Sequence, residues 1–262
     1  MTRISEEEIP QEYDSQMSNK FLSSQPDYIR ILVVAVILGL ETIAAFTGIT
    51  NPWFLGASVA LVILAIVNYI DVRSQEWSRY ASLLLIAMIC GSTGDFLMAD
   101  IFRITPIPVL NGIIFFGIGH FFYLLALRDR SSMLLRSPGM DQPRLMTKNI
   151  AAWLVVSVLV VILFMTTVFN PTMLELGIGM LAYGLLIGTV LAFAVTKWFD
   201  DFPSTFSLCL SIGFLLFFFS DWLIGYHMMT DASFLSGPYV GLTYIVGQLL
   251  VQLSTMFGSK ET

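Results

Sequence analysis

Residues 80–98 read YASLLLIAMICGSTGDFLM, nineteen residues with a single charge, Asp95. At about 1.5 Å per residue such a helix is ~28 Å long, close to the ~30 Å hydrocarbon thickness of a bilayer. Its apolar residues are clustered rather than spaced along one face, as a span in lipid requires and an amphipathic soluble helix does not. The small residues Gly91, Ser92 and Gly94 gather around Asp95. A buried acid in a small-residue face is therefore the feature to follow along the chain.

Working outward, similar runs recur at about 31–48, 52–70, 109–127, 150–169, 174–196, 204–227 and 236–257. The breaks carry turn residues: Asn51-Pro52, Pro106 and Pro108, Asn170-Pro171, Asp200-Asp201 with Pro203, and Gly237-Pro238. The reading is all-α, a polytopic membrane protein with eight transmembrane helices. Composition agrees: of 262 residues 56% are hydrophobic and 12% charged, against about 25% charged in soluble domains. The mean hydropathy is +0.79.

Orientation follows from the loops. Of 13 Lys and Arg residues, all but Arg103 fall on the side that carries both termini. Both termini are thus expected in the cytoplasm of a cell-membrane protein. The first 30 residues hold Glu6, Glu7, Glu8, Glu12, Asp14 and Asp27 and read as a disordered acidic tail with no signal-peptide pattern. The eight-helix domain then covers 31–257, with halves 31–127 and 150–257 joined by a cytoplasmic loop at 128–149. The net charge of −6 and the lack of a basic stripe exclude nucleic acid as a partner. Cys90 and Cys209 lie inside apolar runs and read as small buried side chains, not a disulfide.

The halves echo each other. Gly94-Asp95-Phe96-Leu97 in the third span parallels Ser220-Asp221-Trp222-Leu223 in the seventh, and Gly119-His120 parallels Gly247-Gln248. The aspartates are 126 residues apart and the His/Gln pair 128, which suggests a parallel 4+4 repeat. Away from their ends the spans hold the acids Glu41, Asp95 and Asp221, with no Lys or Arg. An ionised carboxylate there costs ~2.5–3.5 kcal/mol on insertion scales, so each must face the bundle interior. Polar residues such as Glu41, Asn68, Tyr183 and Gln252 read individually as interhelical glue. The paired aspartates read as one site assembled from both halves. A metal centre is disfavoured: only His120 and His227 are available, and no metal-binding spacing occurs.

From about Leu83 to Leu250 the chain resembles the YhhN-like lysoplasmalogenases. The likeness rests on Gly94-Asp95-Phe96-Leu97, Asn111-Gly112-Ile113-Ile114-Phe115 and Gly119-His120-Phe121-Phe122-Tyr123. It continues through Phe218-Phe219-Ser220-Asp221, Thr243-Tyr244 and Gln248, with Tyr183 where the family tends to carry a tyrosine. Asn51-Pro52 stands where a Lys-Pro is expected, a departure bearing on headgroup specificity. The resemblance implies hydrolysis of the sn-1 vinyl ether bond of a lysoplasmalogen drawn from the bilayer, without a cofactor. Asp95 and Asp221 would be the acid/base pair. His120, Tyr123, Tyr183, Ser220, Tyr244 and Gln248 would position substrate or water. A proton-coupled small-molecule transporter using the same aspartates is the alternative, and a non-catalytic lipid-binding scaffold a third reading.

Overall fold

The structure, a computed structural model, describes residues 11–47, 51–105, 108–135, 142–199, 204–230 and 238–261. Lipid offers no hydrogen bonds to backbone groups, so spans must satisfy them internally as helices. Among the described residues there are eight α-helices and no strand: α1 Gln11–Thr47, α2 Asn51–Val72, α3 Ser78–Met98, α4 Pro108–Leu135, α5 Gln142–Leu163, α6 Leu174–Thr196, α7 Ser204–Thr230 and α8 Pro238–Glu261. Prolines open α4 and α8, where the missing N–H would have no helical partner anyway. The end of α5 widens into a π-turn over Phe164–Val168. Asn170 then caps a short turn, its side chain accepting from the Thr172 N–H at 3.0 Å.

Seven of these helices, α2 to α8, are long and apolar enough to cross a membrane. The eighth expected span lies on α1, which is not among them; past Arg30 only 17 residues remain before its end at Thr47, one of them Glu41. Two element boundaries differ from the sequence reading. Helix α1 starts at Gln11, so residues 11–30 continue a helix rather than form a tail; residues 1–10 lie outside the described residues. Most of the expected loop 128–149 is also helical, as α4 runs on to Leu135 and α5 begins at Gln142. Polar residues continue a helix as readily as they form a loop, and hydropathy marks where a span leaves lipid, not where its helix stops.

Sequential helices pack as antiparallel pairs, most extensively α3 with α4 and α7 with α8. The contacts α2–α8 and α4–α6 close the bundle. Closest approach occurs at small residues. A Cβ added at Gly119 would lie 3.0 Å from the Ala87 carbonyl, and one at Gly247 2.8 Å from the Gly213 carbonyl. Ala87 and Gly213 are 126 positions apart, Gly119 and Gly247 128, the offsets that also relate the aspartates and the His/Gln pair. The core is built around Tyr80, Phe206, Phe214, Phe217 and Tyr244. Helix α5 instead presents Leu154, Val155, Val158, Leu159 and Ile162 outward, the surface a lipid-facing helix needs.

Charged groups collect at one end of the bundle. Arg30, only 3% exposed, donates through Nε to Asn68 Oδ1 at 2.8 Å and through its terminal nitrogens to Asp27 at 2.9 Å and Asp71 at 2.5 Å. Lys260 at the end of α8 also reaches Asp27, at 3.0 Å. Arg79 pairs with Asp129 at 3.3 Å, and Lys148 Nζ donates to the Phe199 carbonyl at 2.9 Å. Arg103, paired with Asp100, sits in the turn after α3 at the opposite end.

Candidate functional site

Asp95 is in the last turns of α3, where Gly91 and Gly94 keep its surroundings thin. The Gly91 position faces the Tyr244 hydroxyl, and a Cβ at Gly94 would lie 2.9 Å from the Phe116 ring. The carboxylate is buried and held on one oxygen: Ser58 Oγ of α2 donates to Oδ2 at 2.5 Å, and the Tyr244 hydroxyl of α8 donates to it at 3.1 Å. Asp221 occupies the equivalent place on α7, and its Oδ2 accepts from the Tyr183 hydroxyl of α6 at 2.6 Å. Each acid is thus bound by a hydroxyl from the helix that precedes its own pair, Ser58 on α2 and Tyr183 on α6.

An aromatic chain connects them. The His120 ring meets Tyr183 edge-on with centroids 5.5 Å apart and lies 4.9 Å from Phe217. Phe217 in turn meets Tyr244 at 5.1 Å. His120 Nδ1 is 2.6 Å from the Phe116 carbonyl. A carbonyl only accepts, so Nδ1 carries the proton and Nε2 is a free acceptor. That Nε2 is buried with no protein partner. Gln248 is the complement: its Oε1 accepts from the Tyr123 hydroxyl at 2.6 Å, while its buried Nε2, a donor, has no protein partner.

The sequence candidates divide in two. Asp221 and Tyr183 line an apolar cavity between α5, α6 and α7, closed by Met98 of α3 and Phe116 of α4. Asp95, His120, Tyr123, Tyr244 and Gln248 form the adjoining polar cluster and are not part of that lining. Ser220, completely buried, donates its hydroxyl to the Phe217 carbonyl at 2.7 Å on its own helix. Among the described residues no group of three or more His, Cys, Asp and Glu is placed to hold a metal ion. Sequence reasoning missed Ser58. A lone serine in an apolar span carries no signal, and only the packing of α2 on α3 reveals its role. It also missed the cavity walls Val160, Leu163 and Phe164, which look like ordinary lipid-facing residues in the sequence.

Seven apolar spans enclosing paired acids and an apolar cavity define a polytopic, multi-pass membrane protein with a polar interior site. The YhhN family model matches residues 51–255, from the start of α2 almost to the end of α8. The chain belongs to the YhhN family. No curated protein and no solved structure matches it.

Proposed function

We propose that the protein is an intramembrane hydrolase that cleaves the sn-1 vinyl ether bond of lysoplasmalogens, releasing a fatty aldehyde and a glycerophospho-alcohol. The observation that carries the reading is the pair of aspartates on α3 and α7, each bound by a hydroxyl, with His120 and Phe217 packed between the tyrosines that hold them. Family membership supports it, and so does the apolar cavity at Asp221, of a character that suits an alkenyl chain.

The chemistry needs one carboxylic acid and one carboxylate. The acid protonates the outer vinyl carbon and the C=C π electrons form the new C–H bond, leaving an oxocarbenium ion. The carboxylate takes a proton from water as its oxygen adds to that ion. The hemiacetal then collapses: the first acid, now ionised, takes the hydroxyl proton as the C=O bond forms, and the second, now protonated, gives its proton to the glycerol oxygen as the C–O bond breaks, which returns both acids to their starting forms. Two carboxylates close together in a low-dielectric site do not ionise together easily, so such a pair supplies both forms. His120 Nε2 and Gln248 Nε2 offer an acceptor and a donor for the attacking water. Tyr183 and Tyr244 orient the acids, and Tyr123 holds Gln248 in place. The matched offsets of 126 and 128 residues support a site built from a parallel four-helix repeat, one acid from each half.

In this reading the substrate enters from the bilayer, α1 is the eighth span, and both termini face the cytoplasm of a cell-membrane protein. The test is aldehyde release by purified full-length protein in lipid nanodiscs given a C18 lysoplasmalogen. Release above that of heat-denatured protein is expected. None from folded protein would end the hydrolase reading.

A further inference from the structure

Helix α8 carries Tyr244, Gln248, Gln252 and Thr255 at steps of four, four and three, one face of a helix. The last three are at most 1% exposed. Gln248 Nε2, Gln252 Nε2 and Thr255 Oγ1 all lack a protein partner, as does His120 Nε2 opposite them on α4. These are four of the six buried side-chain atoms left without a partner among the described residues. Gln252 lies beside the Tyr123 hydroxyl, which already binds Gln248. Buried polar groups in native proteins are satisfied by the protein or by water, and these four offer two amide donors, a hydroxyl that can donate or accept, and the His120 acceptor.

Both ends of the strip are anchored. At one end the Tyr244 hydroxyl donates to Asp95. At the other, Asn68 Nδ2 donates to the Gln252 carbonyl at 2.8 Å and Asn68 Oδ1 accepts from Arg30. Arg30 then pairs with Asp71, whose side chain is 27% exposed. From Tyr244 to Thr255 the helix advances about 16 Å. We infer that a file of bound water runs along this face of α8 and connects Asp95 to solvent at the bundle end where Arg30, Asp71 and Lys260 meet. Its ligand is water, and it exchanges water and protons with the buried acid. The inference does not depend on which reaction the acids perform.

The experiment is radiolytic hydroxyl-radical footprinting of the full chain in nanodiscs, since radicals generated from bound water label adjacent side chains even where bulk solvent does not reach. Tyr123 and His120 are expected to label several-fold faster, after correction for intrinsic reactivity, than the equally buried Phe206 and Phe214. Thr255→Val keeps the shape and removes the hydroxyl, and Gln252→Leu replaces an amide with an apolar group. Each should lower labelling at Tyr123 and His120 several-fold while Tyr28, exposed on α1, labels as before. Thr255→Val keeps the test open if Gln252→Leu does not fold. Labelling of Tyr123 no faster than Phe214 would show the strip to be dry. Fast labelling that Thr255→Val leaves unchanged would show a sealed water cluster and overturn the path.

Discussion

Asp95 and Asp221 differ in what surrounds them. Asp95 takes two hydroxyls on one oxygen inside the polar cluster, whereas Asp221 takes the Tyr183 hydroxyl and faces the apolar cavity. Asn in place of either keeps the size and loses the transferable proton. Asp95→Asn and Asp221→Asn should each lower aldehyde release by about 10³-fold or more, within the range of a lost general acid or base, with an unchanged elution profile on gel filtration. Activity within tenfold of wild type in either variant would remove that residue from the chemistry. Tyr183→Phe deletes one hydrogen bond to Asp221 and should cost about tenfold in kcat, the equivalent of ~1.4 kcal/mol. Because a phenyl ring still fills the space beside His120, its melting temperature should stay within a few degrees of wild type.

Helices α7 and α8 touch backbone to backbone. A Cβ at Gly213 would lie 2.9 Å from the Gly247 carbonyl and 3.1 Å from the Val251 nitrogen, neither of which can swing away as a side chain would. Gly213→Ala should therefore force the helices apart and destabilise the protein by about 1–3 kcal/mol, the usual cost of overpacking. A thermal melt in detergent reads this directly, and no loss of stability would show the approach to be looser than described. Gly225 is the contrasting case. It lines the cavity, and a Cβ there would sit 3.7 Å from Val168, an ordinary contact. Gly225→Leu should fold normally and fill the cavity. If the alkenyl chain binds there, KM for long-chain substrate should rise ~10-fold or more, since the loss of even one methylene-sized space costs about that much and leucine adds four carbons. An unchanged KM would place the chain elsewhere.

At the scale of the whole molecule, the end bearing Arg30, Lys148 and Lys260 is the one expected to face the cytoplasm. Single-cysteine labelling at Lys260 should be blocked from outside intact cells, and labelling at Arg103 should not be. The reverse pattern would invert the bundle, and opposite placement of the two termini would remove α1 as a span. The tie between α1 and α8 is also sensitive to pH. The Lys260 hydrogen bond, with help from Arg30, holds the Asp27 carboxyl below the usual carboxylate range against a smaller effect of burial. A depressed carboxyl contributes stability that is present above its unfolded pKa and lost as pH falls through the folded one. The melting temperature should thus drop as acid protonates Asp27, and Asp27→Asn should flatten that drop. The effect should be under about 1 kcal/mol, because Asp27 is 46% exposed and solvent screens the pair.

The all-helical fold and the seven apolar crossings were legible in the sequence, because lipid forces long apolar runs and leaves a backbone little choice but helix. That Asp95 and Asp221 lie inside the bundle was legible for a related reason: an ionised carboxylate among Leu, Ile and Phe is too costly to leave facing lipid. The helical continuation of residues 11–30 and of the 128–149 segment was not, since hydropathy reports solvent and says nothing about where a polar helix ends. Ser58 and the cavity walls on α5 were also hidden. Their types are unremarkable, and their roles exist only once α2 packs on α3 and α5 lies across α6. Which hydroxyl binds which acid, and which amides are left facing no protein partner, depends on contacts between residues 37 to 149 positions apart on different helices, and tertiary packing alone decides those.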